Sequence, residues 1–483
     1  MKRARRNCRK VILASFATVA AVIGLAACGN RLPYQQVLKE NSEIGAPVGN
    51  GSTGQSSSLG STASSETTTT AVGGVGTAQT GGNSGVVGTT VPSIPGRQAA
   101  SQQAGAQTAN CTGAATGSTV NLGQIGSDTG LLGTLLGGGR EGAQIWTNYI
   151  NQHGGLNCHK VKLITADDGG DPSTALSEAQ TMVQADHVIA FISNDGVLST
   201  PTIAPYLQQE GVPTIGGTDV ETQWYSNPDF YPHGAGIRVT VDGAIKDDIQ
   251  AGYTKIGQIT CVEFALICGN VSTLIEQDAP TLGGQEVYNA SVSLAQPDYT
   301  SECLGAQSAG VTTLFLGLDP ASIDRFVQDC ANQNYHPHYI AISLVFAPAL
   351  LNTPLTVGIL ATSPVFPFMV QAPATAQFDQ AVQESTGGSP NSQFLASAWV
   401  AGLILQAASK NLPANPTAAD VVAGLDTIKN DDFGGLTVPL SYTAGQPTAS
   451  PTCYFSLEVT SGGFSAPDGL QTQCLPASFS PNQ

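Results

Sequence analysis

An α/β protein with two doubly wound parallel-sheet lobes, joined by a multi-strand hinge and preceded by a disordered tether, is the fold class this 483-residue sequence predicts. Three observations carry it. From Val120 onward short apolar runs alternate with amphipathic stretches, the pattern restarts after Arg238, and a last block from Gly358 is too small to stand alone. Strands that are apolar throughout and separated by helices form a parallel sheet covered on both faces.

The first lobe is expected at 118–238. Val120 to Ile125 reads as a strand, Gly138 to Gln152 as a helix with Trp146, Tyr149 and Ile150 on one face, and Val161 to Ala166 as a strand. Pro172 to Gln184 is a helix opened by Asp171-Pro172, an N-cap followed by a proline at N1. Val188 to Ile192 is a strand, Pro201 to Gln209 a helix and Val212 to Ile215 a strand. The second lobe, 239–365, repeats the scheme. It takes helix Asp242 to Ala251, strand Ile256 to Val262, helix Val271 to Leu282, strand Glu286 to Val292 and helix Thr300 to Ala309. Strand Thr312 to Leu316, helix Ala321 to Gln333 and strand Tyr339 to Ile342 complete it. The last block holds strand Gly358 to Thr362, a helix around Ala374 to Ser385, a long helix Ser392 to Lys410, a helix Ala418 to Lys429, and strands near Leu436 to Tyr442 and Tyr454 to Val459. Residues 366–445 are expected to complete the first lobe and 446–483 the second. A chain that crosses between lobes more than once makes a hinge.

Ahead of the lobes stands a basic head, Lys2, Arg3, Arg5, Arg6, Arg9 and Lys10, then an apolar stretch from Val11 to Leu25, closed by Leu25-Ala26-Ala27-Cys28. That stretch is short of the roughly 20 residues a permanent membrane helix needs and sits where a cleaved signal core belongs. Residues 1–27 are therefore expected to be a lipoprotein leader and Cys28 the lipidated residue. The stretch 28–117, with Gly51-Ser52-Thr53-Gly54, Ser56-Ser57-Ser58 and Thr67-Thr68-Thr69-Thr70, buries too little to offset its conformational entropy. It reads as a tether with a span of roughly 50 Å.

Six of the 18 Lys and Arg residues lie in the leader, so the rest of the chain sets 12 against 35 Asp and Glu. Such a surface repels nucleic acid and anionic lipid. Cys8 falls in the leader and Cys28 at the lipid, which leaves Cys111, Cys158, Cys261, Cys268, Cys303, Cys330, Cys453 and Cys474. An even number in an exported chain argues for disulfides. Eight cysteines allow roughly a hundred pairings. Topology favours Cys111 with Cys158, each a few residues before one of two neighbouring strands, and leaves the other three pairs sequential. No C-x2-C or Cys/His cluster suggests a metal.

Gly126-Ser127-Asp128-Thr129-Gly130, Ile150-Asn151-x-x-Gly154-Gly155, Asp167-Asp168-x-x-Asp171-Pro172 and Glu210-Gly211-Val212-Pro213-Thr214-Ile215 occur in this order and at telling separations. Together they resemble the type I periplasmic binding proteins, specifically the leucine/isoleucine/valine-binding group that serves ABC importers. The likeness covers about 118 to 460. It implies two α/β lobes that close on a small ligand and deliver it to a permease.

Open parallel sheets bind ligands beyond the carboxyl ends of their strands. The first-lobe candidates are therefore Ser127, Asp128 and Thr129, then Ser193, Asn194 and Asp195, then Gly217, Thr218 and Asp219. The second-lobe candidates are Glu263 and Phe264, Leu318 and Asp319, and Ser343 and Leu344. The resemblance places the family's hydroxyl position at about Asn194, its backbone and threonine positions at about Gly217 and Thr218, and an apolar aromatic position at Phe394. Its ammonium-receiving acid falls at about Leu344, and three cleft tyrosines fall near Leu136, Ile267 and Leu318. Asp319 or Glu263 could replace the acid. The apolar second-lobe face otherwise suits an amide, a keto acid or an aromatic acid.

Other signals have plainer readings. Gly137-Gly138-Gly139-Arg140-Glu141-Gly142 matches G-x-G-x-x-G, yet a dinucleotide fingerprint follows its strand at once, and here Ser127 to Leu136 intervene. Asp167-Asp168 with Asp171 reads as a strand end and a helix cap, not an EF-hand. His336-Pro337-His338 reads as a surface turn, Asp247-Asp248 as a solvated helix face, and Arg140 and Arg238 as structural partners of acids. Trp224-Tyr225 fits either the cleft mouth or the lobe edge. No G-x-S-x-G elbow or free nucleophile suggests an enzyme. The expectation is a monomeric, lipid-anchored extracytoplasmic solute-binding protein without cofactor or metal, with an ABC permease and its ATPase as partners. Signalling to a membrane partner is the alternative.

Overall fold

A computed structural model of the protein describes residues 111, 115–130, 132–133, 137–476 and 479. The leader, Cys28, nearly all of the expected tether, and Leu136 lie outside the described residues.

The first lobe is built on β1 (Thr119–Gly126), α1 (Gly139–Gln152), β2 (Lys160–Asp167), α2 (Pro172–Gln184), β3 (Ala190–Asn194), α3 (Thr200–Glu210), β4 (Thr214–Gly217), α4 (Gln223–Ser226) and β5 (Phe230–Tyr231). Its five strands are all parallel, in the order β2-β1-β3-β4-β5. Phe191 and Ile192, adjacent on β3, point to opposite faces and are both fully buried. One lies with Ala175, Leu207 and Trp224, the other with Trp146, Ile215 and Trp399. Two covered faces are what make the strands read as unbroken apolar runs. Asp171 caps α2 as expected, its carboxylate accepting from Thr174 N–H at 2.7 Å.

The second lobe comprises α5 (Ile237–Gln250), β6 (Lys255–Cys261), α6 (Ala265–Leu282), β7 (Gln285–Val292), α7 (Thr300–Ala309), β8 (Thr313–Gly317), α8 (Pro320–Asn332), β9 (His338–Ile342) and β10 (Leu360–Ser363). Then come α9 (Ala376–Thr386), α10 (Gln393–Ala408), α11 (Ala418–Leu425), β11 (Cys453–Thr460), β12 (Gly463–Ser465) and β13 (Gln473–Cys474). The second sheet runs β12-β11-β10-β9-β8-β6-β7, with β13 beside β11. It is parallel from β7 to β10 and antiparallel at the β10, β11 and β12 edge, so the sheet is mixed where a wholly parallel one was expected. A hairpin turn suffices to add β12 to β11, whereas a parallel partner would need a crossover.

Other elements depart from expectation for local reasons. β3 and β4 begin two residues after the apolar runs that announced them and extend into polar Asn194 and Gly216-Gly217. α5 and α6 start five and six residues early, because Ile237 to Val241 and Ala265 to Asn270 already wind. Residues 436–442 are not a strand; they make only the isolated bridges Val365 with Thr437 and Asp431 with Leu440. Asp247-Asp248 is not solvated: Asp248 is 1 % exposed, accepting from Thr313 and held 2.7 Å from His338 Nδ1. Asp247 accepts from Tyr454 at 2.6 Å. Trp224 is buried in the lobe, which resolves its reading in favour of packing.

Disulfides join Cys111 to Cys158, Cys261 to Cys268, Cys303 to Cys330 and Cys453 to Cys474. In the chain-entropy view the 47-residue separation of the first corresponds to about 4 kcal/mol and the 7-residue separation of the second to about 2.5 kcal/mol.

The chain crosses between the sheets at 232–236, 364–366 and 437–450. Thr437 Oγ1 donates to His233 O at 2.6 Å, Tyr442 Oη to Pro232 O at 2.7 Å, and Gly236 N–H to Ser450 Oγ at 3.4 Å. A side chain on Gly234 would come within 2.5 Å of Pro364 O. These bonds tie the crossings into one hinge.

Helix α10 closes the first lobe against α1, and at Gly402 a Cβ would lie 2.3 Å from the Trp146 indole, itself fully buried. Overpacking of that kind costs about 1–3 kcal/mol. We expect Gly402→Ala to lower stability by this amount in oxidised chemical denaturation, with an unchanged m-value; a neutral result would show that the indole can move aside.

Candidate ligand-binding cleft

The register aligns the ends of the strands. Gly126 is level with Asp167 and bridges Asp195, and Asn194 is level with Gly217. The loops that follow, at Ser127, Asp168, Asp195 and Thr218, therefore lie along one edge of the first sheet. In the second sheet Cys261 is level with Val292 and Thr260 with Gly317, which brings Glu263, Leu294, Leu318 and Ser343 to the corresponding edge.

On the first edge polar groups hold one another. Ser127 Oγ donates to Asp168 at 2.6 Å, and Asp167 accepts from the N–H groups of Asp128 and Gly169. Burial pushes Asp167 up, but these bonds and those from Thr129 outweigh it and hold the carboxyl below its ordinary value. Asp128 pairs with Arg140, and its pKa is nonetheless raised by burial and by the nearby Asp167 and Asp168. Ser193, at φ 51°, donates to Gly139 O and to Asp195 Oδ2. Asp195 is raised well above the usual carboxylate range, first by burial and then by the charge of Asp128. Asn194 Oδ1 accepts from Ile125 N–H at 3.0 Å.

Gly217 faces inward, where a Cβ would meet Asn194 O and the Trp224 ring. Asp219 turns toward the hinge and pairs with His233 at 2.9 Å, both 1 % exposed. Thr218 donates to Glu221, which also accepts from Trp224 Nε1 at 3.0 Å. Glu221 was not among the expected residues, although it shares the loop of Thr218 and Asp219.

The second edge is apolar. Cys261, Phe264, Ile267 and Cys268 cluster with Phe394 of α10 and with Val197 of the first lobe, and Leu132, Val220, Leu294 and Leu344 pack around them. A narrow cavity of about 40 Å³ opens on the second-lobe side of this cluster, its wall including Phe264, Ile267, Leu294, Leu318, Asp319 and Leu344. Ser343 Oγ donates to Gln393 at the start of α10, a bond between the lobes. Asp319 is spent as the N-cap of α8, accepting from Ala321 and Ser322 N–H. Glu263 Oε1 accepts from Ser293 Oγ at 2.6 Å and from Leu294 N–H at 2.9 Å. The structure thus brings Phe264, Leu344 and Phe394 into one apolar cluster and Leu318 and Asp319 into the cavity wall beside it, leaves Asp128, Asp195 and Glu263 in the strand-end loops, and engages Gly217 and Asp219 elsewhere.

The glycine-rich match has packing work. A Cβ on Gly139 would lie 1.3 Å from Asp195 Oδ2, and one on Gly142 2.7 Å from Ala398 Cβ on α10. Gly138 has φ 115°, open to glycine and few others. Arg238 pairs with Asp278 at 2.7 Å, away from the cleft edge. Among the described residues no group of three or more His, Cys, Asp or Glu is placed to hold a metal ion, and no helix is long and apolar enough to cross a membrane.

Two sheets whose carboxyl edges face each other across a hinge of three crossings define a bilobal receptor for a small solute. The chain belongs to the periplasmic binding protein family, whose model matches residues 119–463, and it has the type I fold. No curated protein matches it in sequence. Among solved structures, a possible leucine/isoleucine/valine-binding protein from Rhodopirellula baltica SH 1 is 18% identical, with TM-score 0.59 over 73% of this chain and 97% of that one. A fatty acid ABC transporter substrate-binding protein from Thermomonospora curvata is 16% identical, with TM-score 0.60 over 76% and 94%. An ABC transporter solute-binding protein of R. palustris in complex with benzoate is 14% identical, with TM-score 0.58 over 74% and 98%. The family is one of extracytoplasmic solute-binding receptors of the ABC-transporter type.

Burial pushes Glu221 from 4.5 up to about 8. A carboxyl raised in the folded state costs stability once the unfolded chain ionises, so this group removes stability as pH climbs from about 4.5 to about 8. Glu221→Gln is expected to gain on the wild type through that window and then level off, by a few degrees in Tm (about 2–4 °C per kcal/mol). Parallel thermal melts from pH 4 to 9 check this; a constant offset would refute it.

Proposed function

We propose that the protein is a lipid-anchored, monomeric solute-binding protein that captures an amino acid, an amide or a related organic acid between its lobes for an ABC permease and its ATPase. The first lobe is 118–238 completed by 366–445, the second 239–365 completed by 446–483. The observation that supports this most is the cleft itself. The second-lobe wall at Phe264, Leu318 and Leu344 is apolar and packs with Phe394 and with Val197 of the first lobe, while the first-sheet strand ends beside Val197 carry the polar Asn194 and Asp195. A small molecule with one polar end and an apolar body complements such a pair of walls. The cleft-facing Leu344, where the resemblance places an ammonium-binding acid, argues against the ordinary zwitterion mode. The fatty acid ABC transporter substrate-binding protein and the solute-binding protein in complex with benzoate are consistent with a receptor fold that accommodates apolar bodies. Cys28 supplies the anchor, and the residues between it and the first lobe supply reach.

The test is a thermal-shift screen of the oxidised protein against amino acids, amides, keto acids, aromatic acids and short polyols. A specific ligand at about 100 times its Kd adds roughly 2.7 kcal/mol; the absence of any hit would refute the assignment. In bacterial expression, Cys28→Ala is expected to move the protein from the membrane to the soluble fraction, and retention at the membrane would count against lipidation.

A further inference from the structure

One apolar cluster is shared by the two lobes. Val197 and Phe394 of the first lobe meet Cys261, Phe264, Ile267 and Cys268 of the second, and none of the six is more than 8 % exposed. Leu132 and Val220 pack on the cluster from one side, Leu294 and Leu344 from the other. Beside Phe394, Gln393 accepts the Ser343 hydroxyl hydrogen from across the gap. The cavity left at the cluster is about 40 Å³, whereas small-molecule pockets have roughly 300 Å³ or more. The wall that suits an apolar body is thus already covered by the protein's own side chains.

The second-lobe half of this contact is pinned. β6 ends at Cys261 and α6 begins at Ala265, and the disulfide from Cys261 to Cys268 ties the strand end to the first turn of the helix. Phe264 enters the helix with no side-chain cap. Its position relies on that disulfide and on Glu263, which fastens the same loop to Ser293 and Leu294.

We propose that the cluster is a self-closing latch: Val197 and Phe394 occupy the apolar wall of the second lobe, and the Cys261–Cys268 disulfide holds that wall in shape. Closure then has an apolar contribution that needs no ligand. The same wall cannot hold Phe394 and a solute's apolar body at once, so the latched fraction lowers the apparent affinity for any such solute. That consequence rests on the solute-binding reading; the latch itself does not.

Hydroxyl-radical footprinting of the oxidised full chain, with no ligand added and read by mass spectrometry, tests it. With an open form populated at about 10 % or less, wild-type Phe394 is expected to react at least about tenfold more slowly than in the urea-unfolded chain. Val197→Asp puts a charge into the seam, and Cys261→Ala with Cys268→Ala removes the clamp. Each should raise the Phe394 rate about fivefold or more, while Phe191 and Phe326, fully buried in the first and second lobes, stay protected. Wild-type Phe394 reacting at its unfolded-chain rate overturns the latch whatever the variants do. Protection of Phe394 in Val197→Asp with both core phenylalanines intact also overturns it, and the same result in the cysteine variant removes the disulfide from the device. A variant that exposes Phe191 or Phe326 has lost its fold, and the wild-type rate then decides. A failed ligand screen leaves these rates unaltered, so the latch and the solute-binding reading stand or fall separately.

Discussion

The buried contact between His233 and Asp219 joins the carboxyl edge of the first sheet to the first crossing between the lobes. Through the backbone oxygens of Pro232 and His233, Tyr442 and Thr437 attach the third crossing to the same point, and Val365 bridges Thr437 to bring in the second. Cleft and hinge are thereby one hydrogen-bonded body. Burial raises Asp219 above its ordinary value although His233 beside it lowers it, and loss of His233 would leave the buried carboxyl without its facing partner. The positions of both cleft edges depend on this knot, because neither sheet is continuous with the other.

Much of the architecture is legible from hydrophobic runs. β1, β2, β6 and β7 appear within a residue or so of their apolar signals, and α2 and α7 match theirs. Losses have specific causes. β3 and β4 end in Asn194 and Gly217 because hydrogen bonding to a neighbour, not apolarity, sets a strand's limit. The stretch 436–442 is apolar enough to read as a strand, yet its backbone is used at the hinge, where Thr437 and Tyr442 donate across lobes. Asp248 looked solvated because its partners, Thr313 and His338, are far along the chain.

The cleft was legible in location and less so in detail. Strand ends pointed to the right loops, since a register of parallel strands puts them on one edge. Which side chains turn into the cleft is a tertiary matter. Asp219 and Asp319 lie in expected loops but serve the hinge and the α8 cap, while Glu221 and Gln393 entered only once the fold placed them. The opposition of an acidic first edge and an apolar second one was half visible, through Leu318 and Leu344. The acidic half needed the burial of Asp195 to give it chemical meaning.

The seating of α10 on α1 has a bearing on time as well as on shape. Trp146 finds its place only beside Gly402, about 250 residues further along the chain, and Gly142 only beside Ala398. Contacts so distant in sequence form late. A nascent chain that has already displayed all five strands of the first sheet still lacks the helix that covers one face of it. The first lobe is complete only once α10 has emerged, by which point strands β6 to β10 of the second sheet have already been made.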